Sequence, residues 1–251
     1  MNYMDLFNAK MAIKNIRKWI QEYFSQPCNL NANAIIGLSG GKDSTIAATL
    51  LVSALGPDRV IGVAMPQGSK SKMDTDIARE VAEILGIRFM VVDIENTVNS
   101  LVDSMDKEII TPEVLINIPP RIRMTTLYAV AQANRGRVCN TCNRSEDYVG
   151  YSTKFGDTAG DFGFLKTFTV TEVLAIGDAL GIPPQLVHRP PADGLTGKSD
   201  EDVLGFTYKE LDDWLLDNKE PEEHKMNLIN YKHNLNLHKE RNMPIYHQSS
   251  F

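Results

Sequence analysis

The hydrophobic and polar positions of this chain fall into an alternation of short apolar runs and longer amphipathic stretches. From Ala9 to Phe24, the residues Ala9, Ala12, Ile13, Ile16, Ile20 and Phe24 recur at helical spacing, which predicts an amphipathic helix packed on the main fold or lining a subunit contact. The run Ala34-Ile35-Ile36-Gly37-Leu38 then reads as a buried strand, Ser-Gly-Gly as a tight turn and Asp43 to Leu55 as a helix. The unit repeats. Val60 to Met65 predicts a strand, Asp74 to Leu85 a helix, and Arg88 to Val92 a strand followed by helical residues to about Met105. After Pro119-Pro120, Arg121 to Ala133 predicts a helix leading to a short strand over Gly136 to Cys139. Such alternation predicts an α/β fold, a doubly wound parallel sheet with right-handed crossovers and helices on both faces.

Beyond residue 150 the pattern changes. Gly150 to Phe168 is rich in Gly, Asp and Phe, Thr171 to Leu180 is helical, and the stretch through Pro183-Pro184 and Pro190-Pro191 is irregular. Tyr208 to Leu216 and Glu222 to Asn234 again read as helices. With no internal repeat, low-complexity tract or long linker, the expected organisation is a single domain over 1–251. It comprises an N-terminal helix at about 8–24, a nucleotide-binding core at about 33–150 and a C-terminal helical elaboration at about 151–251.

Composition narrows the function classes. A hydrophobic content of 43% and a charged content of 23% are ordinary for a soluble globular protein. The net charge of −6 argues against a nucleic-acid binder with a broad basic surface, so any anion site has to be local. Lys10, Lys14, Arg17 and Lys18 interrupt the apolar positions near the N-terminus, leaving no signal-peptide core, and no later run reaches membrane-spanning length. Three cysteines, Cys28, Cys139 and Cys142, are too few for a disulfide framework. A cytoplasmic protein is expected, and the Cys139-x-x-Cys142 pair reads as buried free thiols because no second ligand pair for zinc exists in the chain.

The segment with the most chemistry is Ser39-Gly40-Gly41-Lys42-Asp43-Ser44, set between the first strand and its helix. Twin glycines free the backbone so that successive N–H groups can converge on a phosphate, and the following helix contributes its positive end. Ser39 and Ser44 can donate hydroxyl hydrogen bonds, and Asp43 can hold a Mg²⁺ that offsets the polyphosphate charge. The spacing is neither a Walker A loop nor a dinucleotide G-x-G-x-x-G. The string is similar to the SGGxDS loop of the ATP pyrophosphatase superfamily, whose members cleave ATP between the α and β phosphates, which implies adenylate formation.

A second segment selects within that superfamily. Asn140 to Asp161, NTCNRSEDYVGYSTKFGDTAGD, resembles the signature of the ammonia-dependent NAD synthetases through Thr141, Asn143, Glu146, Gly150, Tyr151, Thr153, Lys154, Gly156, Asp157 and Asp161. Asn117 to Met124 with Arg121 and Arg123, then Tyr128, Ser199 to Tyr208 and His238-Lys239 continue the resemblance. It implies that Gly37, Leu38, Ser39, Gly40, Gly41, Lys42, Asp43, Ser44 and Thr141 bind ATP. It implies further that Asp43 and Glu146 hold Mg²⁺, and that Arg121, Lys154, Asp161, His238 and Lys239 bind deamido-NAD. Asp43, Glu146 and Lys154 are then the catalytic group. Where many members carry a lysine and a Ser or Thr reaching ATP, this chain has Val170 and Ala192. Val170 is left out of the site, Lys166 lies four residues earlier, and Ala192 is kept as a backbone contact. Asn140 replaces the usual glycine before Thr141 and can adopt the left-handed conformation.

The resemblance implies amidation of deamido-NAD, with ATP as co-substrate, through an adenylated intermediate to NAD, AMP and pyrophosphate, by a homodimer. The 33 residues ahead of the first strand do not hold a glutamine amidase domain, so ammonia is the expected nitrogen donor. The alternatives are another SGGxDS-loop enzyme, such as a GMP synthetase-like or tRNA-modifying one, or a non-catalytic ATP-binding module.

Overall fold

The protein is described by a computed structural model covering residues 2–189, 199–241 and 244. A short helix α1 (Tyr3–Leu6) precedes α2 (Ala9–Ser25), and the core follows as β1 (Asn33–Gly37), α3 (Lys42–Leu55), β2 (Val60–Ala64), α4 (Lys72–Leu85), β3 (Arg88–Val91), α5 (Glu95–Asp103), α6 (Pro112–Ala133) and β4 (Gly136–Asn140). The remainder comprises α7 (Arg144–Val149), β5 (Phe162–Gly163), α8 (Val170–Ala179), α9 (Pro184–Val187), α10 (Asp200–Leu204), α11 (Tyr208–Asp217) and α12 (Glu223–Glu240).

All five strands are parallel, in the order β3-β2-β1-β4-β5. Successive side chains of a strand point to opposite faces, and β1 shows it: Ala34 and Ile36 enter one core with α2, α3, α4 and α8, while Ile35 enters another with Met124, Leu127 and Val130 of α6. This is the doubly wound fold read from the alternation. The chain runs outward from β1 to β3, then returns through α6 to place β4 on the other side of β1. The crevice at the carboxyl ends of β1 and β4 is therefore the topological switch point, where open α/β sheets bind ligands.

Three differences from the sequence reading have physical causes. Helix α6 does not start after Pro119-Pro120 but nine residues earlier at Pro112, and it carries both prolines internally. A proline withholds one backbone donor and crowds the carbonyl four residues back. Here those carbonyls belong to Leu115 and Ile116, whose exposed position lets water replace the lost bonds. The sheet also gains a strand beyond residue 150: β5 is two residues long, too short to show a period, and exists by pairing Phe162 and Gly163 with Cys139 and Asn140. Asn140 ends β4 without a positive φ. Its amide instead donates to the carbonyls of Asp157 and Ala159 and accepts from the Cys142 N–H, strapping the loop down.

Beyond the sheet, a smaller core of Val149, Val170, Leu204, Phe206, Tyr208, Leu211 and Ile229 ties α7, α8, α10, α11 and α12 together. Val170 is consumed by this packing, and its N–H is held by Ser145 Oγ. Lys166 pairs with Asp147 and Glu240 on the same flank. No described helix is long and apolar enough to cross a membrane.

Candidate active site

The site begins with a loop that the sequence folds on itself. The Ser39 N–H donates to Ser44 Oγ at 3.3 Å, Gly41 N–H donates to Ser39 Oγ at 3.2 Å, and Ser44 and Thr45 hydroxyls both return to the Gly41 carbonyl. Gly40 has φ +76°, and a Cβ there would sit 2.6 Å from the Asp74 carbonyl oxygen. Only glycine satisfies both the backbone angle and the close approach of α4. Helix α3 starts at Lys42, so the N–H groups of its first turn have no helical partner and face the loop.

Asp43 is the charged hub. Lys42 Nζ lies 2.8 Å from its Oδ2, with the two side chains 10% and 18% exposed, and Asn143 Nδ2 donates to its Oδ1 at 3.2 Å. Asn143 also caps α7 in a reciprocal box with Glu146: Glu146 N–H donates to Asn143 Oδ1, and Glu146 Oε2 accepts from Asn143 N–H. One residue thus aims both carboxylates at the same place. Burial, followed by the nearby Asp43 charge, pushes the Glu146 carboxyl up to about 8. Burial pulls Lys42 down, but Asp43 and then Glu146 outweigh it and hold the ammonium above its ordinary value. A buried carboxyl whose proton affinity is raised by a neighbouring carboxylate marks a site with room for added positive charge.

This group opens on a cavity of about 470 Å³ at the switch point. Gly37, Leu38, Ser39, Gly41, Lys42, Asp43, Thr141 and Glu146 line it, so most of the expected ATP residues share one wall. Met65, Ser71, Asp74, Thr75, Arg123, Asp157, Arg189 and Asp200 are among the other residues that line it. Arg189 Nη2 pairs with Asp74 at 2.7 Å while its Nη1 donates to the Gly40 carbonyl, bracing the loop from outside. Arg189 and Asp74 are absent from the expected site because nothing local marks them: one precedes a Pro-Pro pair and the other opens a helix. Ala192 lies outside the described residues.

The expected deamido-NAD residues gather elsewhere. Lys154 Nζ donates to the His238 carbonyl, Arg121 Nε donates to the Lys154 carbonyl, and Lys239 Nζ donates to the carbonyls of Gly150 and Ser152. These contacts clasp the end of α12 onto the loop after α7, beside the cavity but not on its wall. His238 is exposed, with Nδ1 near the Leu235 carbonyl. Asp161 Oδ2 accepts from Val138 N–H at 2.7 Å, and its Oδ1 accepts from Tyr128, which orders the junction of β4 and β5. Cys139 and Cys142 are free and buried, and burial pushes both thiols up.

A parallel sheet, a glycine loop at its first crossover and an acid-lined cavity at the switch point define a doubly wound nucleotide-binding protein. The NAD synthase family model matches residues 12–249. The chain belongs to the NAD synthase family. It is 39% identical over 219 residues to the NH(3)-dependent NAD(+) synthetase of Finegoldia magna, covering 87% of this chain and 86% of that one. It is 36% identical over 242 residues to the corresponding synthetase of Pyrococcus furiosus, covering 95% and 91%. Among solved structures it is similar to the NMN synthetase of Francisella tularensis, with a TM-score of 0.87 and 31% identity over 96% of this chain and 99% of that one.

Proposed function

We propose that this chain, a ligase, amidates deamido-NAD with ammonia at the expense of ATP, yielding NAD, AMP and pyrophosphate. The observation that carries this reading is the convergence of the folded glycine loop with Asp43 and Glu146 on one cavity, in a chain of this family. Ammonia as nitrogen donor follows the two relatives, both NH(3)-dependent NAD(+) synthetases. In the first step a nicotinate carboxylate oxygen attacks the α-phosphorus, and pyrophosphate leaves with the bonding electrons. Ammonia then attacks the acyl carbon, AMP departs with the electron pair, and the amide nitrogen loses a proton to solvent. A carboxylate is a poor acyl donor because its leaving group would be oxide; adenylation replaces that with a phosphate ester.

The chain's own contribution is positioning and charge neutralisation. Ser39 to Ser44 cradle the phosphates, with Lys42 adding its cation, and Gly37, Leu38 and Thr141 contact the nucleotide. Asp43 and Glu146 are hard oxygen donors oriented by Asn143, two carboxylates beside the one cation of Lys42, and they are the residues that would hold Mg²⁺. When bound, Mg²⁺ would supply charge neutralisation on the polyphosphate. The clasp of Arg121, Lys154, His238 and Lys239, together with Asp161, orders the loop that receives deamido-NAD, and Lys154 is its member assigned to the catalytic group. In the same reading the chain is one cytoplasmic domain that forms a homodimer, with exposed Ile109, Leu115 and Ile116 offering apolar surface.

The test is to supply purified protein with deamido-NAD, ATP, Mg²⁺ and ammonium and follow AMP, pyrophosphate and NAD. All three should rise in equal amounts; no AMP would overturn the reading. The likeness to an NMN synthetase favours a second reading, in which nicotinic acid mononucleotide is the acid. The ratio of kcat/KM for the two acids in parallel assays decides between them.

A further inference from the structure

Three cations line the described cavity wall, and two are already neutralised: Lys42 by Asp43 and Arg189 by Asp74. Arg123 is the third. Its Nε donates to the Met65 carbonyl at 3.1 Å, which anchors the guanidinium against the end of β2. Among the described residues that is the one hydrogen bond its side chain makes, and no carboxylate oxygen lies within 4 Å. Asp157 acts on it only from further away, and burial pulls the guanidinium below its usual value. Arg121, the arginine chosen by resemblance, stands two residues earlier on α6, and positions two apart on a helix face nearly opposite ways. It is Arg123 that faces the cavity, whereas Arg121 faces the clasp.

A half-buried guanidinium without a counter-ion is costly unless an anion arrives, and its planar pair of Nη groups suits one with two equivalent oxygens. Acidic side chains otherwise dominate this wall, and among the described residues Arg123 is its one cation outside an ion pair. We infer that Arg123 is the oxyanion receptor of this cavity, anchored through Nε while both Nη groups grip one reactant, either the acid's carboxylate or the α-phosphoryl oxygens of ATP. This inference rests on the proposed amidation, where those two anions must meet, and it assigns the gripping of one of them to a residue outside the expected site.

The experiment compares wild type with Arg123→Ala, Arg123→Lys and Arg123→Gln in the AMP-release assay, with and without millimolar guanidinium ion. Arg123→Ala should lose about 100-fold in kcat/KM, the size of a lost charge-assisted contact. Lys, a point charge without the fork, should recover only part of it, and added guanidinium should restore activity to the Ala variant. A rise confined to the KM of the acid identifies the carboxylate as the anion held, whereas an equal loss of ATP affinity identifies the α-phosphoryl group. Should Arg123→Ala fail to fold, Arg123→Gln, which can still donate to Met65, carries the same comparison. Activity within about threefold of wild type, or a loss that guanidinium does not restore, overturns the inference. If wild type itself releases no AMP, it is the proposed function that fails.

Discussion

The wall around Asp43 and the clasp around Lys239 contain the same kinds of residue put to different use. In the clasp, the donors of Lys154 and Lys239 are spent on backbone carbonyls of the chain itself, so their charge orders a loop. On the wall, Arg123 keeps its Nη groups without a hydrogen-bond partner among the described residues, and burial with the nearby Asp43 charge leaves Glu146 holding its proton more tightly than usual. A charged residue is poised for a ligand when the fold leaves its hydrogen-bonding capacity unfilled, and is structural when the fold fills it.

The sharpest way to break this comparison is Glu146→Gln. Glutamine preserves the capping box, so the fold should persist. Turnover should nevertheless fall by about 100-fold or more because a ligand charge is lost, measured as AMP release over a Mg²⁺ titration. The same variant sharpens a pH argument. The folded-state value of about 8 lies above the ordinary 4.5, so the folded, ligand-free protein holds a proton that the unfolded chain releases. That contribution to stability is full below about 4.5, declines above it and is gone once pH passes about 8. The Tm of ligand-free wild type should accordingly fall across that interval more steeply than that of the variant.

A smaller effect is expected from Gly40→Ala, which forces a Cβ against the Asp74 carbonyl at a positive φ. Strain of about 1–3 kcal/mol should appear as a lower Tm together with weakened ATP binding. The smallest belongs to the clasp. Lys239→Met leaves the carbonyls of Gly150 and Ser152 without that donor. It should cost about 1 kcal/mol and raise the KM of the acid severalfold, while ATP affinity, read by calorimetry, stays unchanged. An equal loss of ATP affinity would remove the distinction between the two regions.

Legibility tracked the length of the signal. The strands β1 to β4 and the long helices α2, α3 and α4 were readable because their apolar periods persist over several residues. The five- and six-residue helices α10 and α7 were not, although Ser199 with Asp202 and Asn143 with Glu146 form capping boxes that mark their starts. The wall of the cavity was readable where it is contiguous, from Gly37 to Lys42 and Asp43, and where a motif marked Thr141 and Glu146. Arg189 and Asp74 are 115 residues apart and meet only in the folded chain.

The residue order alone determined the alternation of strand and helix, the glycine loop and the presence of paired acids, because each is written in neighbours a few positions apart. Tertiary structure decided which cations remain unpaired, which arginine of α6 meets the cavity and why Val170 belongs to a core. Those outcomes depend on which distant groups arrive to satisfy a donor or exclude water, and local sequence does not encode who the neighbour will be.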